Sequence, residues 1–329
     1  MDVQIAITLA SIGYLGEGAP TDEKYQLMSA ALRQPDLPTG GRWRIVWGPA
    51  EWPMGTEPST SLWYIAAGLD AQGDSALGVV IRGTQMSVWE SKKLDLELEL
   101  VPILFADPTA PADVRVAQGF AKEIQNLLAA VDLRSGLSGE QFLRQYVSTS
   151  SPPPKVKVIG HSLGGATSPI LSLWVKSLFP DLEVRPFPFG GQSPGNRAFA
   201  DWYANAFAPW PSRYINRLDV TWMMFAELAQ IKAMWGGPDC PEWVKLLIDG
   251  VEELLRFEQL CYASTAGPHI FEGALYDLSG DGAWEMEARA QHEHLYYMFL
   301  SGIPLQVIRN GLGPKWSPPP KLGQPPGGG

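Results

Sequence analysis

Gly160-His161-Ser162-Leu163-Gly164-Gly165 sets a serine between glycines, directly after the apolar run Val156 to Ile159 and directly before the helical stretch Leu163 to Leu178. A strand-to-helix bend this tight strains the serine backbone, and a Cβ two residues to either side would collide with it. Glycine at 160 and 164 removes both collisions. The hydroxyl then stands at the carboxyl end of the strand, where the first backbone N–H groups of the helix favour negative charge. A strand, this bend and a helix in succession are the setting of a nucleophile, and the setting carries more information than the string itself.

A serine hydroxyl needs a base, and the chain supplies four histidines, His161, His269, His292 and His294. His161 adjoins the serine and is expected to project away from it as a packed residue of the bend. The other three follow the expected sheet, where the order serine, acid, base puts the base. His294 is the sequence-based choice, because it opens the apolar run His294-Leu295-Tyr296-Tyr297-Met298-Phe299, whereas His292 lies among Glu287, Arg289, Gln291 and Glu293. The acid should end a strand between the two, holding the imidazole tautomer. Asp219, after Arg213 to Leu218, fits; Asp239 and Asp249 are weaker contenders because they fall in a helical stretch. The backbone N–H of Leu163 and Thr84, after the strand Val79 to Gly83, are the expected oxyanion donors.

These groups must be positioned by a sheet. Trp43–Trp47, Leu62–Ala67 and Leu77–Ile81 read as early strands, the last two as a hairpin. Leu94 to Leu100 alternates as a strand with one wet face, and Val116 to Val131 repeats apolar residues at helical steps. After the proline-rich connector Ser148 to Pro154, strand and helix alternate: Val156 to Gly160, Leu163 to Leu178, Val184 to Phe189, Asn196 to Phe207 and Arg213 to Asn216. Repeated βαβ order predicts a mainly parallel sheet covered by helices on both sides. Trp222 to Trp235 and Trp243 to Leu260 then read as a helical pair split by Gly236-Gly237-Pro238, with a last helical stretch from Met286 to Leu300. The expected organisation is one α/β domain over residues 1–315, an insertion at about 222–262 as candidate cap, and a Pro/Gly-rich tail at 316–329, disordered or polyproline-like.

Composition excludes several classes. The 329 residues are 45% apolar and carry a formal charge of −10, which disfavours nucleic acid as a partner. No apolar run approaches the length of a membrane span. The first fifteen residues read as a helix or strand and lack the basic start of a signal peptide, so the compartment is left open between cytoplasmic and exported by a non-classical route. Cys240 and Cys261 fit either one bridge or two free thiols, and no His/Cys cluster has metal-ligand spacing. Asp277-Leu278-Ser279-Gly280-Asp281-Gly282 reads as an acidic turn, because a calcium loop begun there needs a glutamate where Ala288 stands.

Val80-Ile81-Arg82-Gly83-Thr84, Gln118-Gly119-Phe120, Gly160 to Ala166, Phe189 to Asn196, Ile215 to Asp219 and His294 to Tyr297 together resemble the class 3 lipases, the family of fungal triacylglycerol lipases and feruloyl esterases. The resemblance implies the α/β-hydrolase fold, carboxylic ester hydrolysis, no cofactor, and family roles falling on Ser162, Asp219, His294, Thr84 and Leu163. It also implies a lipid ester, such as an acylglycerol, as substrate, at a lipid–water interface. Trp222, Met223, Met224 and Phe225 are the candidates for lining an acyl pocket, although such a stripe is usually core. An esterase for feruloyl or other soluble esters, a phospholipase, and an inactive binding protein of the same fold are the competing readings.

Overall fold

The computed structural model describes residues 2–52, 61–83, 97–235 and 239–320. Thr84, residues 94–96 of the alternating segment Leu94 to Leu100, the breaker Gly236-Gly237-Pro238 and the end of the tail lie outside them.

Apolar residues at a period of two generate the sheet. Strands β1 (Arg44–Trp52), β2 (Ser61–Leu69) and β3 (Ser75–Ile81) form an antiparallel meander. The short β4 (Leu100–Pro102) and β5 (Arg115–Ala117) pair separately. Strands β6 (Lys155–His161), β7 (Val184–Phe189), β8 (Tyr214–Asn216) and β9 (His269–Phe271) continue the main sheet in parallel from β3, in the order β1-β2-β3-β6-β7-β8-β9. Trp63, Ile65, Val79, Ile81, Val156 and Val158 face one core, while Leu62, Tyr64, Val80, Ile159, Phe187 and Phe189 face the other. Both faces are therefore covered, as a parallel sheet requires.

Helices α1 (Asp2–Ile12) and α2 (Thr21–Leu32) cover the second face. The sequence left the first segment open between helix and strand and gave no sign of the second. Ile5, Ile7, Leu9 and Ile12 of α1 are fully buried, each contributing about 2 kcal/mol. Helix α3 (Gln118–Ala129) packs on the first face, close to the span its periodicity predicts. Helix α4 (Gly139–Thr149) went unread, although Ser138 and Gln141 form a capping box at its start. Helix α5 (Leu163–Leu178) and α6 (Arg197–Ala206) follow β6 and β7 as expected.

The insertion departs from its reading. Trp222 to Trp235 is not one helix but a 3-10 turn at Thr221–Met223 and the short α7 (Leu228–Ile231), followed by α8 (Glu242–Phe257). The expected helix from Met286 to Leu300 is two, α9 (Ala283–Gln291) and α10 (His294–Leu300), parted at His292 and Glu293. Helix α11 (Leu305–Gly311) ends the set. Trp316, expected to open a loose tail, packs instead on Tyr296 and Phe299, and its carbonyl accepts from Arg309 Nε at 2.8 Å.

Candidate active site

Ser162 sits between β6 and α5 with φ 62° and ψ −124°, a region that L residues rarely occupy. The bend closes because nothing projects into it: a Cβ on Gly160 would stand 2.0 Å from the Gly164 carbonyl oxygen, and one on Gly164 would stand 2.4 Å from that of Ile81. The Ser162 N–H donates to the Phe189 carbonyl at 3.0 Å, tying the bend to β7. Leu163 is the first residue of α5, so its N–H has no carbonyl partner within the helix. Gly83 lies against this bend, where a Cβ would meet that of Ser162 at 2.8 Å. Gly83, just beyond the end of β3, therefore lies beside the serine side chain, while Thr84 is outside the described residues.

Asp219 follows β8 in a turn and is fully buried. Three donors hold its carboxylate. Thr221 N–H reaches Oδ1 at 2.8 Å, while Tyr297 O–H at 2.7 Å and His292 Nδ1 at 2.8 Å both reach Oδ2. Tyr297 in turn accepts from the Asn216 N–H at 3.1 Å, so the end of β8 and helix α10 share one network. Burial, reinforced by the adjacent Asp219 charge, raises the Tyr297 pKa well above the ordinary phenol value, which keeps it a donor.

The structure thus brings His292, and not His294, to Asp219. His294 turns the other way: its ring stacks on Tyr14 at 4.5 Å, and its Nε2 pairs with Glu293 at 3.1 Å. Burial lowers its pKa. The apolar run Leu295 to Phe299 does anchor α10, but it orients Tyr297 toward Asp219 and leaves His294 one turn away from it. Two of the four polar neighbours that made His292 look solvent-facing are themselves interior. Glu287 and Gln291 are fully buried, the former accepting from Tyr276 N–H and the latter bonding Asn216. They fasten α9 to the sheet edge and deliver His292 at its end.

With Nδ1–H given to Asp219, His292 presents Nε2 as the basic atom, and that atom is buried with no hydrogen-bond partner. Burial lowers the His292 pKa, but the Asp219 carboxylate outweighs it, leaving the imidazole above its ordinary value of 6.5. The ring stacks on His161, the residue before Ser162, at 4.8 Å. A serine on a strained bend, an orphan helix N–H beside it, and an adjoining imidazole backed by a buried carboxylate are the parts of acyl transfer.

Three of the four acyl-pocket candidates are core residues. Trp222, Met223 and Phe225 are buried in the first core: the Trp222 indole donates to the Asn216 carbonyl at 3.1 Å, and Phe225 packs on Phe120 and Tyr262. Met224 is half-buried against that core. Cys240 and Cys261 are both free thiols. Among the described residues no His, Cys, Asp and Glu group could hold a metal ion, and no helix is long and apolar enough to cross a membrane. Tyr14 and Tyr297 were not singled out from the sequence, since a lone tyrosine carries no spacing signal.

Residues 78–227 match the family model described as Lipase (class 3), a span that includes Ser162 and Asp219 and stops short of the late histidines. The fold is that of M37 lipase, whose crystal structure aligns over 94% of this chain and 93% of its own at 19% identity and a TM-score of 0.73. Triacylglyceride lipase of Rhizomucor miehei (18% identity, 68% of this chain and 73% of its own, TM-score 0.49) and triacylglycerol lipase from Penicillium expansum (19%, 68% and 71%, 0.46) are more distant in shape. No curated protein matches the chain in sequence. Over residues 78–227 the chain is thus similar to class 3 lipases, and its architecture is the α/β-hydrolase fold.

Proposed function

We propose that the chain is a lipase that cleaves acylglycerols or related lipid esters through an acyl-enzyme on Ser162. The observation that carries the reading is the 2.8 Å bond from His292 Nδ1 to the buried Asp219, with His292 Nε2 left unpartnered beside the serine bend. In the first step Ser162 Oγ attacks the ester carbonyl carbon and its proton passes to His292 Nε2. The oxyanion takes the Leu163 N–H, with Thr84 the proposed second donor. The tetrahedral intermediate collapses, the C–O bond breaks, and His292 returns the proton to the departing alcohol. Water then repeats the sequence on the acyl-enzyme and regenerates Ser162. Asp219 stays ionised throughout and stabilises the imidazolium.

The test is hydrolysis of a triacylglycerol emulsion and of a soluble p-nitrophenyl ester by the wild type and Ser162→Ala. Loss of both activities, by roughly 10⁴-fold or more, with the fold intact by circular dichroism, is the expected outcome. Retained turnover in Ser162→Ala would refute the reading. A wild type that acts on the soluble ester and ignores the emulsion would make it an esterase.

A further inference from the structure

A hydrogen-bonded line runs through the site without touching the reacting atoms. The Gly83 N–H donates to Tyr14 Oη at 3.1 Å, and Tyr14 Oη lies 2.9 Å from His161 Nδ1. His161 Nε2 lies 2.9 Å from the His292 carbonyl oxygen. A carbonyl only accepts, so Nε2 carries the hydrogen, Nδ1 is the acceptor, and the Tyr14 hydroxyl is its donor. One direction of donation therefore satisfies every member. Tyr14 comes from the turn after α1, Gly83 from the end of β3, His161 from the serine bend and His292 from the break between α9 and α10.

We propose that Tyr14 and a neutral His161 form a strut that sets the position of His292 and of Gly83 relative to Ser162, making both positioning residues for ester hydrolysis. The proposal rests on the reading of His292 as the base. The surroundings agree with a fixed tautomer: burial, and then the neighbouring His292 and His294, hold His161 well below the ordinary imidazole range. Burial likewise keeps Tyr14 protonated, against the nearby Arg82, with Glu293 and Glu17 adding in the same sense as burial. The ring of Tyr14 stacks on His294 and meets His161 edge-on, so removing its hydroxyl alone leaves the packing in place.

The test compares Tyr14→Phe, His161→Gln and His161→Leu with the wild type on soluble p-nitrophenyl butyrate, with rates normalised to serines titrated by a fluorophosphonate. A glutamine amide presents a donor and an acceptor at nearly the spacing of the two imidazole nitrogens. Tyr14→Phe should lower kcat per titrated site by roughly ten- to a hundredfold with KM unchanged, and move the acid limb of the pH profile down as His292 slackens against Asp219. His161→Gln should retain most of the rate that His161→Leu loses. A merely structural role would lower the number of titratable sites and leave kcat per site and the acid limb where they were; that result in Tyr14→Phe overturns the proposal. Should Tyr14→Phe not fold, equal kcat in the two His161 variants overturns it. Failure of the underlying reading is distinguishable, since His292→Ala would then still be labelled at Ser162 at the wild-type rate.

Discussion

Two bends carry the site, and they are made in opposite ways. At Ser162 the chain turns because side chains are missing: Gly160 and Gly164 let backbone approach backbone at distances a Cβ would forbid. At His292 the chain turns because side chains from remote elements hold it, through Asp219 on the ring, His161 on the carbonyl, and Asn216 on the preceding Gln291. The first bend is a local steric requirement and is written in adjacent residues. The second is a set of long-range hydrogen bonds spanning 73, 75 and 131 positions of sequence.

This contrast can be broken experimentally. Asp219→Asn should have the largest effect, because it removes the carboxylate that fixes the His292 tautomer. We expect kcat to fall by roughly 10⁴-fold with a near-native fold. The pH dependence sharpens the point. Ester hydrolysis needs neutral His292, so kcat/KM of the wild type should decline as pH falls through a value above 6.5, the ordinary imidazole pKa. In Asp219→Asn the residual acid limb should move to lower pH. The linked stability has the opposite sense: the imidazolium–carboxylate pair stabilises the fold fully below pH 6.5, and that contribution is lost as pH rises through the raised folded value.

At the glycine-built bend the expected effects are on stability. Gly160→Ala puts a Cβ 2.0 Å from a backbone oxygen that cannot yield, so urea denaturation should show a loss of about 3 kcal/mol or more. Ser162→Gly should do the reverse on a smaller scale. Relief of the positive φ at 162 should raise stability by about 1 kcal/mol while hydrolysis disappears. A neutral Gly160→Ala would show that the bend is not sterically specified.

The same contrast explains what was legible in the sequence. The parallel strands β6 and β7, helix α5, the bend at Ser162 and the turn at Asp219 could be read because strand periodicity, glycine spacing and βαβ order are local properties. His292 was passed over for His294 because Glu287 and Gln291 read as a solvated face, whereas burial with matched partners, Tyr276 N–H and Asn216, is what they have in the fold. No glycine or proline marks the break between α9 and α10, so two helices read as one. At Trp222 to Phe225 the usual meaning of an apolar stripe at helical spacing holds, since Trp222, Met223 and Phe225 are core.

The most direct test is to trap the acyl-enzyme from a slowly deacylating p-nitrophenyl ester and locate it by peptide mass spectrometry in the wild type, His292→Ala and His294→Ala. The expected result is acylation of Ser162 in the wild type and in His294→Ala, and none on the same timescale in His292→Ala. Acylation of Ser162 at the wild-type rate in His292→Ala, or its loss in His294→Ala alone, would contradict the account.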